Sequence, residues 1–340
     1  MSRAWALQSL LLLASVVFIV ALAEITARAF DVKPYQTRLE RYEFDDTLGW
    51  RTHNSFTTYI SKLRYAHYLH YNEDGFPSSE ADVARSASRQ QTSVALIGDS
   101  FIEGYYLPYE QTLAYSLEQS IDKQILNLDV SGYSPGQYLL TARKHLPDFN
   151  VTDIVVFLFA FNNIPYVSLD MYRGYSKPLV SHETFEIENF PLHKKAGDEA
   201  EMRGLAKNIL DKFALWSLIK PVFVMVEQTD GVVLKPERLD LDELQRALKL
   251  ISRINTEFPH ANFHVYYIPD ITELKAEDVF QFNIANFKQS CSQIGLNCIT
   301  PDPFAQHDPD DLYIPDDHHL SKLGAQLVAN HVTELLTAEK

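Results

Sequence analysis

A serine hydroxyl becomes a useful nucleophile only when a base removes its proton. The residues to weigh are therefore serines at strand ends and His/Asp pairs able to reach them. Gly98-Asp99-Ser100-Phe101-Ile102-Glu103-Gly104 directly follows the apolar run 94–97. In such a turn, backbone N–H groups can face a developing oxyanion, although Asp99 and Ser100 can equally do no more than cap a helix. Val130-Ser131-Gly132-Tyr133 offers a glycine, which lets backbone approach a ligand closely. Ala160-Phe161-Asn162-Asn163 offers an amide side chain able to donate to an oxyanion. Each of these also has a plain reading as a turn or cap. Near the end of the chain stands Asp316-Asp317-His318-His319-Leu320-Ser321. An Asp and a His three apart in a loop can meet, the carboxylate then fixing the imidazole tautomer. This selects Asp316 with His319. Asp317 with His318 is the alternative, but adjacent residues rarely face each other. The stretch also holds His307, Asp308, Asp310 and Asp311, a crowd that could attract a divalent cation. No recognised metal-ligand spacing accompanies it, and an acidic surface loop is the plainer reading.

The elements that must position these residues alternate. Short apolar runs at 94–97, 125–128, 154–159, 263–268 and 296–299 read as buried strands. Helical spacing recurs at 111–121, 136–146, 239–254, 276–290 and 321–336, the last with Ser321 as N-cap. Alternation of strand and helix predicts a parallel sheet covered on both faces, with chemistry beyond the carboxyl ends of its strands. Upstream, residues 45–50 read as a turn, 57–71 as strands and 78–91 as a linker. The rhythm breaks over 164–235, an insertion expected at the active edge. It carries Tyr166, Tyr172, Tyr175, Phe185, Phe190 and Trp216, rings that can stack on sugars.

Taken together, the G-D-S-F-x-x-G segment and the later blocks resemble the SGNH, or GDSL, hydrolase family over about residues 93–163 and 296–336. The resemblance implies a three-layer α/β/α fold similar to flavodoxin. It implies Ser100 as nucleophile, His319 as general base and Asp316 as its orienting partner. It also implies an oxyanion hole from the Ser100 and Gly132 N–H groups and the Asn162 side chain. The family's usual G-x-N-D reads Ala160-Phe161-Asn162-Asn163, so the catalytic Asn stands while its neighbours are replaced. The expected activity is hydrolysis of an O-acyl ester, on an acylated small molecule or an envelope glycan. Alternatives are O-acyl transfer to a polysaccharide, a lipid esterase or thioesterase, and a non-catalytic binding module. Neither cofactor nor metal is expected.

The 340-residue chain has a formal net charge of -15, which disfavours nucleic acid as a partner. Residues 4–23 carry no charge and are long enough to span a bilayer. They read as a membrane anchor or, if cut after Ala23, as a signal peptide. Either exports the remainder of the chain, expected as an extension at 31–90 and a hydrolase domain at 91–340. Cys291 and Cys298 flank Gly295 and are expected to form one disulfide. Asn150-Val151-Thr152 is a glycosylation sequon that matters only in a eukaryotic secretory route.

Overall fold

Successive residues of a strand face opposite sides of a sheet, so a strand apolar at every position must be covered twice. The computed structural model describes residues 3–30, 32, 41–61, 65–172, 175–193, 210, 212–218, 237–315 and 317–338, and it shows this arrangement. One five-stranded sheet is formed by β1 (Ser93–Ile97), β2 (Gln124–Asn127), β3 (Val151–Phe159), β4 (Asn262–Ile268) and β5 (Cys298–Ile299). Every neighbouring pair is parallel, in the order β2-β1-β3-β4-β5. This is the flavodoxin-like order, whose ligand crevice opens where the chain switches direction between β1 and β3.

The two faces separate cleanly. Ala95, Ile97, Val156 and Val265 join one core, under helices α2 (Pro135–His145), α3 (Leu241–Glu257) and α4 (Glu277–Ile294). Val94, Leu96, Val155 and Tyr266 join the other, under α1 (Leu113–Ser120) and α5 (Lys322–Ala338). The fold is thus three-layered α/β/α, as expected.

Caps fix the helix ends more tightly than periodicity does. Thr112 accepts the Tyr115 N–H at 3.3 Å and starts α1 two residues after 111. Asp240 accepts the Asp242 and Glu243 N–H groups at 2.9 and 3.1 Å and starts α3. Ser321 accepts the Gly324 N–H at 3.2 Å, the expected N-cap of α5. Helix α4 runs on to Ile294 and ends at Gly295, whose φ of 70° suits a residue without a β-carbon. Cys291 and Cys298 are bonded across that turn, with Cα atoms 6.1 Å apart.

Ahead of the sheet, the apolar N-terminal helix spans Arg3–Ala29, six residues beyond the expected 23. Residues 7–29 are long and apolar enough to cross a membrane. Glu24 and Arg28, near its end, bind the short segment 212–218. Glu24 accepts the Ala214 and Leu215 N–H groups at 3.0 and 2.9 Å, and Arg28 donates to the Lys212 carbonyl at 3.0 Å. A hairpin follows, pairing Tyr42–Asp45 with Gly49–Thr52. Asp45 holds its turn through the Thr47 and Leu48 N–H groups. Phe56–Ser61, Ala66–Tyr71 and Pro77–Ser78 then form a small antiparallel sheet. Within 164–235, the described parts include a hairpin of Met171–Tyr172 with Tyr175–Ser176.

Candidate functional site

Ser100 emerges from the carboxyl end of β1. Gly98 has to be a glycine there, because a β-carbon would stand 2.7 Å from Asp129 Oδ1. Asp99 accepts the Phe101 N–H at 3.1 Å and so caps a single helical turn, Ser100–Glu103. Gly104, at φ 70°, ends it. The turn agrees with the sequence pattern; the one-turn helix that buries Glu103 is a feature the pattern does not record.

His319 reaches Ser100 from the far end of the chain. Its Nε2 lies 2.9 Å from Ser100 Oγ, and its Nδ1 meets Asp317 Oδ1. The second Asp317 oxygen accepts the Tyr65 hydroxyl at 3.2 Å. The imidazole is packed among Phe101, Tyr105 and Tyr106, with centroids 4.8, 5.2 and 4.4 Å away. The carboxylate on His319 is therefore Asp317. Asp316, the expected partner, lies outside the described residues. The spacing follows from a left-handed turn at the residue between them, which directs its side chain away and lets its two neighbours meet. His318, at φ 63°, indeed turns away, its Nδ1 lying 3.2 Å from Asp270 Oδ2. The loop is closed at its base by a bridge between Tyr313 and Leu320 and by the Ile314 N–H donating to the His319 carbonyl at 2.7 Å.

Gly132 lies in the loop after β2 and Asn162 in the loop after β3. Gly132 has φ 84°, and a β-carbon on it would overlap the Tyr172 ring. Asn163, fully buried, organises the third loop. Its Nδ2 donates to Asp99 Oδ2, the Tyr133 carbonyl and Asn162 Oδ1, at 2.9, 3.2 and 2.9 Å, while its Oδ1 accepts the Phe159 N–H at 2.6 Å. Asn162 in turn hydrogen-bonds Asp99 through its side chain. Burial pushes the Asp99 carboxyl up despite hydrogen bonds from Phe101, Asn163 and Asn162.

The aromatics of 164–235 divide. Tyr172 lies on Gly132 and stacks on Trp50 at 5.4 Å, Tyr166 packs on Tyr172, and Tyr175 packs on Trp50. Phe185 instead sits under the Arg253 guanidinium on α3, and Phe190 is exposed. Trp216 belongs to the segment that meets the N-terminal helix. Close to Tyr166, Lys177 is buried and donates to the Tyr166 carbonyl at 2.9 Å. Desolvation pushes its ammonium down to about 7, although the Asp99 charge acts the other way. Of the acidic run, Asp308 caps the Asp310 N–H and Asp310 meets Lys275. Among the described residues, no three His, Cys, Asp or Glu side chains converge as a metal site would need.

Tyr65, Glu103 and Asn163 join these contacts without being singled out by the sequence, and Asp317, weighed there as a partner of His318, meets His319 instead. Glu103 left one signal, a lone charge in an otherwise uncharged 100–106 stretch. Tyr65 left none, because its contact is made across 252 residues.

No family model and no curated protein matches the chain. Among solved structures it is similar to a lipolytic protein of the G-D-S-L family from Veillonella parvula, at 13% identity, covering 72% of this chain and 98% of that one with a TM-score of 0.40. A lipase/acylhydrolase from Enterococcus faecalis is similar at 12% identity, with 73% and 96% covered and a TM-score of 0.41. A psychrotrophic esterase from Pseudoalteromonas sp. is similar at 12% identity, with 72% and 97% covered and a TM-score of 0.38. The structural neighbours of this chain are thus lipolytic hydrolases of the GDSL type, matched at low identity over about 72% of its length.

Proposed function

We propose that the chain is a serine-dependent ester hydrolase held at a membrane by its N-terminal helix. The observation that carries this reading is the continuous line from Asp317 through His319 to Ser100 Oγ, with a 2.9 Å contact between base and hydroxyl. In the proposed cycle, Ser100 Oγ attacks the acyl carbonyl carbon while His319 Nε2 takes the hydroxyl proton. Asp317 holds the tautomer that leaves Nε2 free to accept, and it stabilises the imidazolium. The carbonyl π pair moves onto oxygen, which the Ser100 and Gly132 N–H groups and the Asn162 amide receive. Collapse of the adduct breaks the ester C–O bond, and the His319 proton goes to the departing alkoxide. Water, deprotonated by His319, then attacks the acyl-serine; collapse breaks the bond between the acyl carbon and Ser100 Oγ, His319 returns its proton to Oγ, and the acid is released.

The substrate we favour is an O-acyl ester of an envelope carbohydrate, on the exported side of the membrane. Tyr166 and Tyr172 stand beside the Gly132 loop, where a sugar face would be met. A sugar hydroxyl in place of water turns the same cycle into acyl transfer. Retention of the helix as an anchor is supported by Glu24. It follows the Ala23 cleavage position, yet it is bound to Ala214 and Leu215.

A fluorophosphonate probe tests the reading without knowledge of the substrate. The wild-type protein is expected to label at Ser100. Ser100→Ala, which removes one oxygen, is expected to lose labelling and ester turnover with its melting midpoint unchanged. Turnover undiminished in Ser100→Ala would remove this serine from the reaction.

A further inference from the structure

A trans peptide group is planar, its C=O and the following N–H pointing in opposite directions. Whatever fixes the Ser131 carbonyl therefore aims the Gly132 N–H. That carbonyl accepts the Trp50 indole N–H at 3.1 Å. One peptide earlier, the Ser131 N–H donates to Glu103 Oε2 at 2.8 Å. We propose that Trp50 and Glu103 are positioning residues that aim the Gly132 N–H at the acyl oxygen, an inference that rests on the serine-hydrolase reading above.

Both residues are held firmly enough to orient a peptide. Trp50 is 1% exposed, and its hairpin is tied to the loop it controls. The Tyr133 hydroxyl donates to the Trp50 carbonyl at 2.5 Å, and Gln137 Nε2 donates to the Leu48 carbonyl at 2.8 Å. Tyr172 covers the outer side, stacked on Trp50 and pressed on Gly132. Glu103 is equally fixed. Oε1 accepts Arg41 at 3.1 Å and the Tyr71 hydroxyl at 2.7 Å, and Oε2 accepts the Tyr42 hydroxyl at 2.9 Å besides Ser131. The Arg41 guanidinium lies 4.4 Å from the Tyr105 ring centroid. A buried ion pair is a weak source of stability, because desolvating both charges offsets their attraction. A pair that also orders the oxyanion loop has a reason to be there. Gly132 sits at φ 84°, in the left-handed region, where nothing within its own residue restrains the peptide. Trp50, Arg41 and Tyr42 all precede residue 91, so the oxyanion loop is completed from outside the 91–340 stretch.

The test uses the full chain in nanodiscs and p-nitrophenyl acetate. Dependence of turnover on Ser100 is measured first; if turnover survives Ser100→Ala, the serine mechanism falls and this proposal with it. Trp50 is then replaced by 3-benzothienylalanine, which keeps the fused rings but has sulfur in place of N–H. The expected result is a kcat lower by about 10–100-fold, somewhat less than deletion of an oxyanion donor, with KM within about 3-fold. The Ki of a trifluoromethyl ketone, which forms an oxyanion adduct, should rise by the same factor as kcat falls. Unchanged kcat and Ki overturn the role of Trp50. For Glu103, two charge-free pairs are compared. Arg41→Met with Glu103→Gln keeps an acceptor for the Ser131 N–H, whereas Arg41→Met with Glu103→Leu does not. The Gln pair should exceed the Leu pair by about 10-fold in kcat at similar KM. Equal kcat values overturn the role of Glu103, and this comparison remains decisive if the Trp50 replacement does not fold.

Discussion

The two sides of the proposed site are built by opposite means. The base loop holds His319 by a hydrogen bond at each ring nitrogen and aromatic surface elsewhere. The proposed oxyanion side is a lattice of buried hydrogen bonds running from Arg41 through Glu103 to Ser131, and from Asp99 through Asn163 to Tyr133. The difference comes from the chemistry. An oxyanion donor is useful only if it already stands where charge will develop, so it must not move. A base gains and loses a proton in each half of the cycle and passes it among the serine, alkoxide and water oxygens, so flat apolar surfaces that tolerate a small rotation suit it better. Only its tautomer needs fixing, and one carboxylate does that.

Removing that carboxylate is the largest expected effect and the sharpest test of the contrast. Asp317→Asn leaves the loop's shape but offers Nδ1 the wrong partner, and kcat should fall by about 10³–10⁴-fold. Asp316→Asn should change it by less than about 3-fold. The reverse ranking, read from kcat for any ester that labels through Ser100, would return the orienting role to Asp316.

How far the sequence could be read obeys the same division. The strands were legible because apolar runs such as 94–97 and 154–159 leave no alternative to burial on both faces, and Ser100, Gly132 and Asn162 then fall at strand ends. His319 was legible for a similar reason, standing just before a capped helix. Asp317 was not. The choice between it and Asp316 depends on the φ of 63° at His318, which sends that side chain to Asp270 and leaves its two neighbours on one side. Helix starts were displaced by a residue or two, at α1 and α3 because Thr112 and Asp240 are caps, not members, of the helices they start. Tyr65 and Trp50 act across long sequence separations, and no local pattern records such contacts.

The oxyanion side should respond to loss of a donor more than to loss of volume. Asn163→Asp keeps the size of the side chain. It removes the N–H groups that serve Asp99 Oδ2, the Tyr133 carbonyl and Asn162 Oδ1, and it sets a second carboxyl against the buried Asp99. Stability should fall by about 2–4 kcal/mol, the range for buried polar groups left unpaired. In the protein that remains folded, kcat should fall by about 10-fold as Asn162 loses its support. Denaturant melts and kinetics on the same sample separate the two effects. An Asn163→Asp protein as stable as wild type would mean that these hydrogen bonds are not what holds the loop.

The smallest expected effect on activity concerns the buried carboxyls Glu103 and Glu273. Glu103, on the oxyanion side, is paired with Arg41. Glu273, behind the base loop, is met among the described residues by neutral donors, the Tyr267 hydroxyl at 3.0 Å and Asn283 Nδ2 at 2.9 Å, with Asp270 nearby as a like charge. Desolvation pushes Glu273 up to about 8, against those two hydrogen bonds. Between the unfolded value of 4.5 and about 8, the folded chain binds a proton that the unfolded chain has released. Stability from this group is therefore fully present below pH 4.5 and is lost as pH rises through about 8. Glu273→Gln mimics the protonated form at every pH and should remove that loss. Relative to wild type, its unfolding free energy should rise from no difference at low pH to a gain on the order of 5 kcal/mol at mildly alkaline pH, each pH unit within the window being worth about 1.4 kcal/mol. Activity at neutral pH should change little, because among the described residues the side chain of Glu273 is hydrogen-bonded to Tyr267 and Asn283 and not to Ser100 or His319. A wild type and variant whose stability curves run parallel from acid to alkali would show that Glu273 is ionised in the fold after all. The contrast between a carboxylate held by a cation and a carboxyl kept neutral by burial would then disappear.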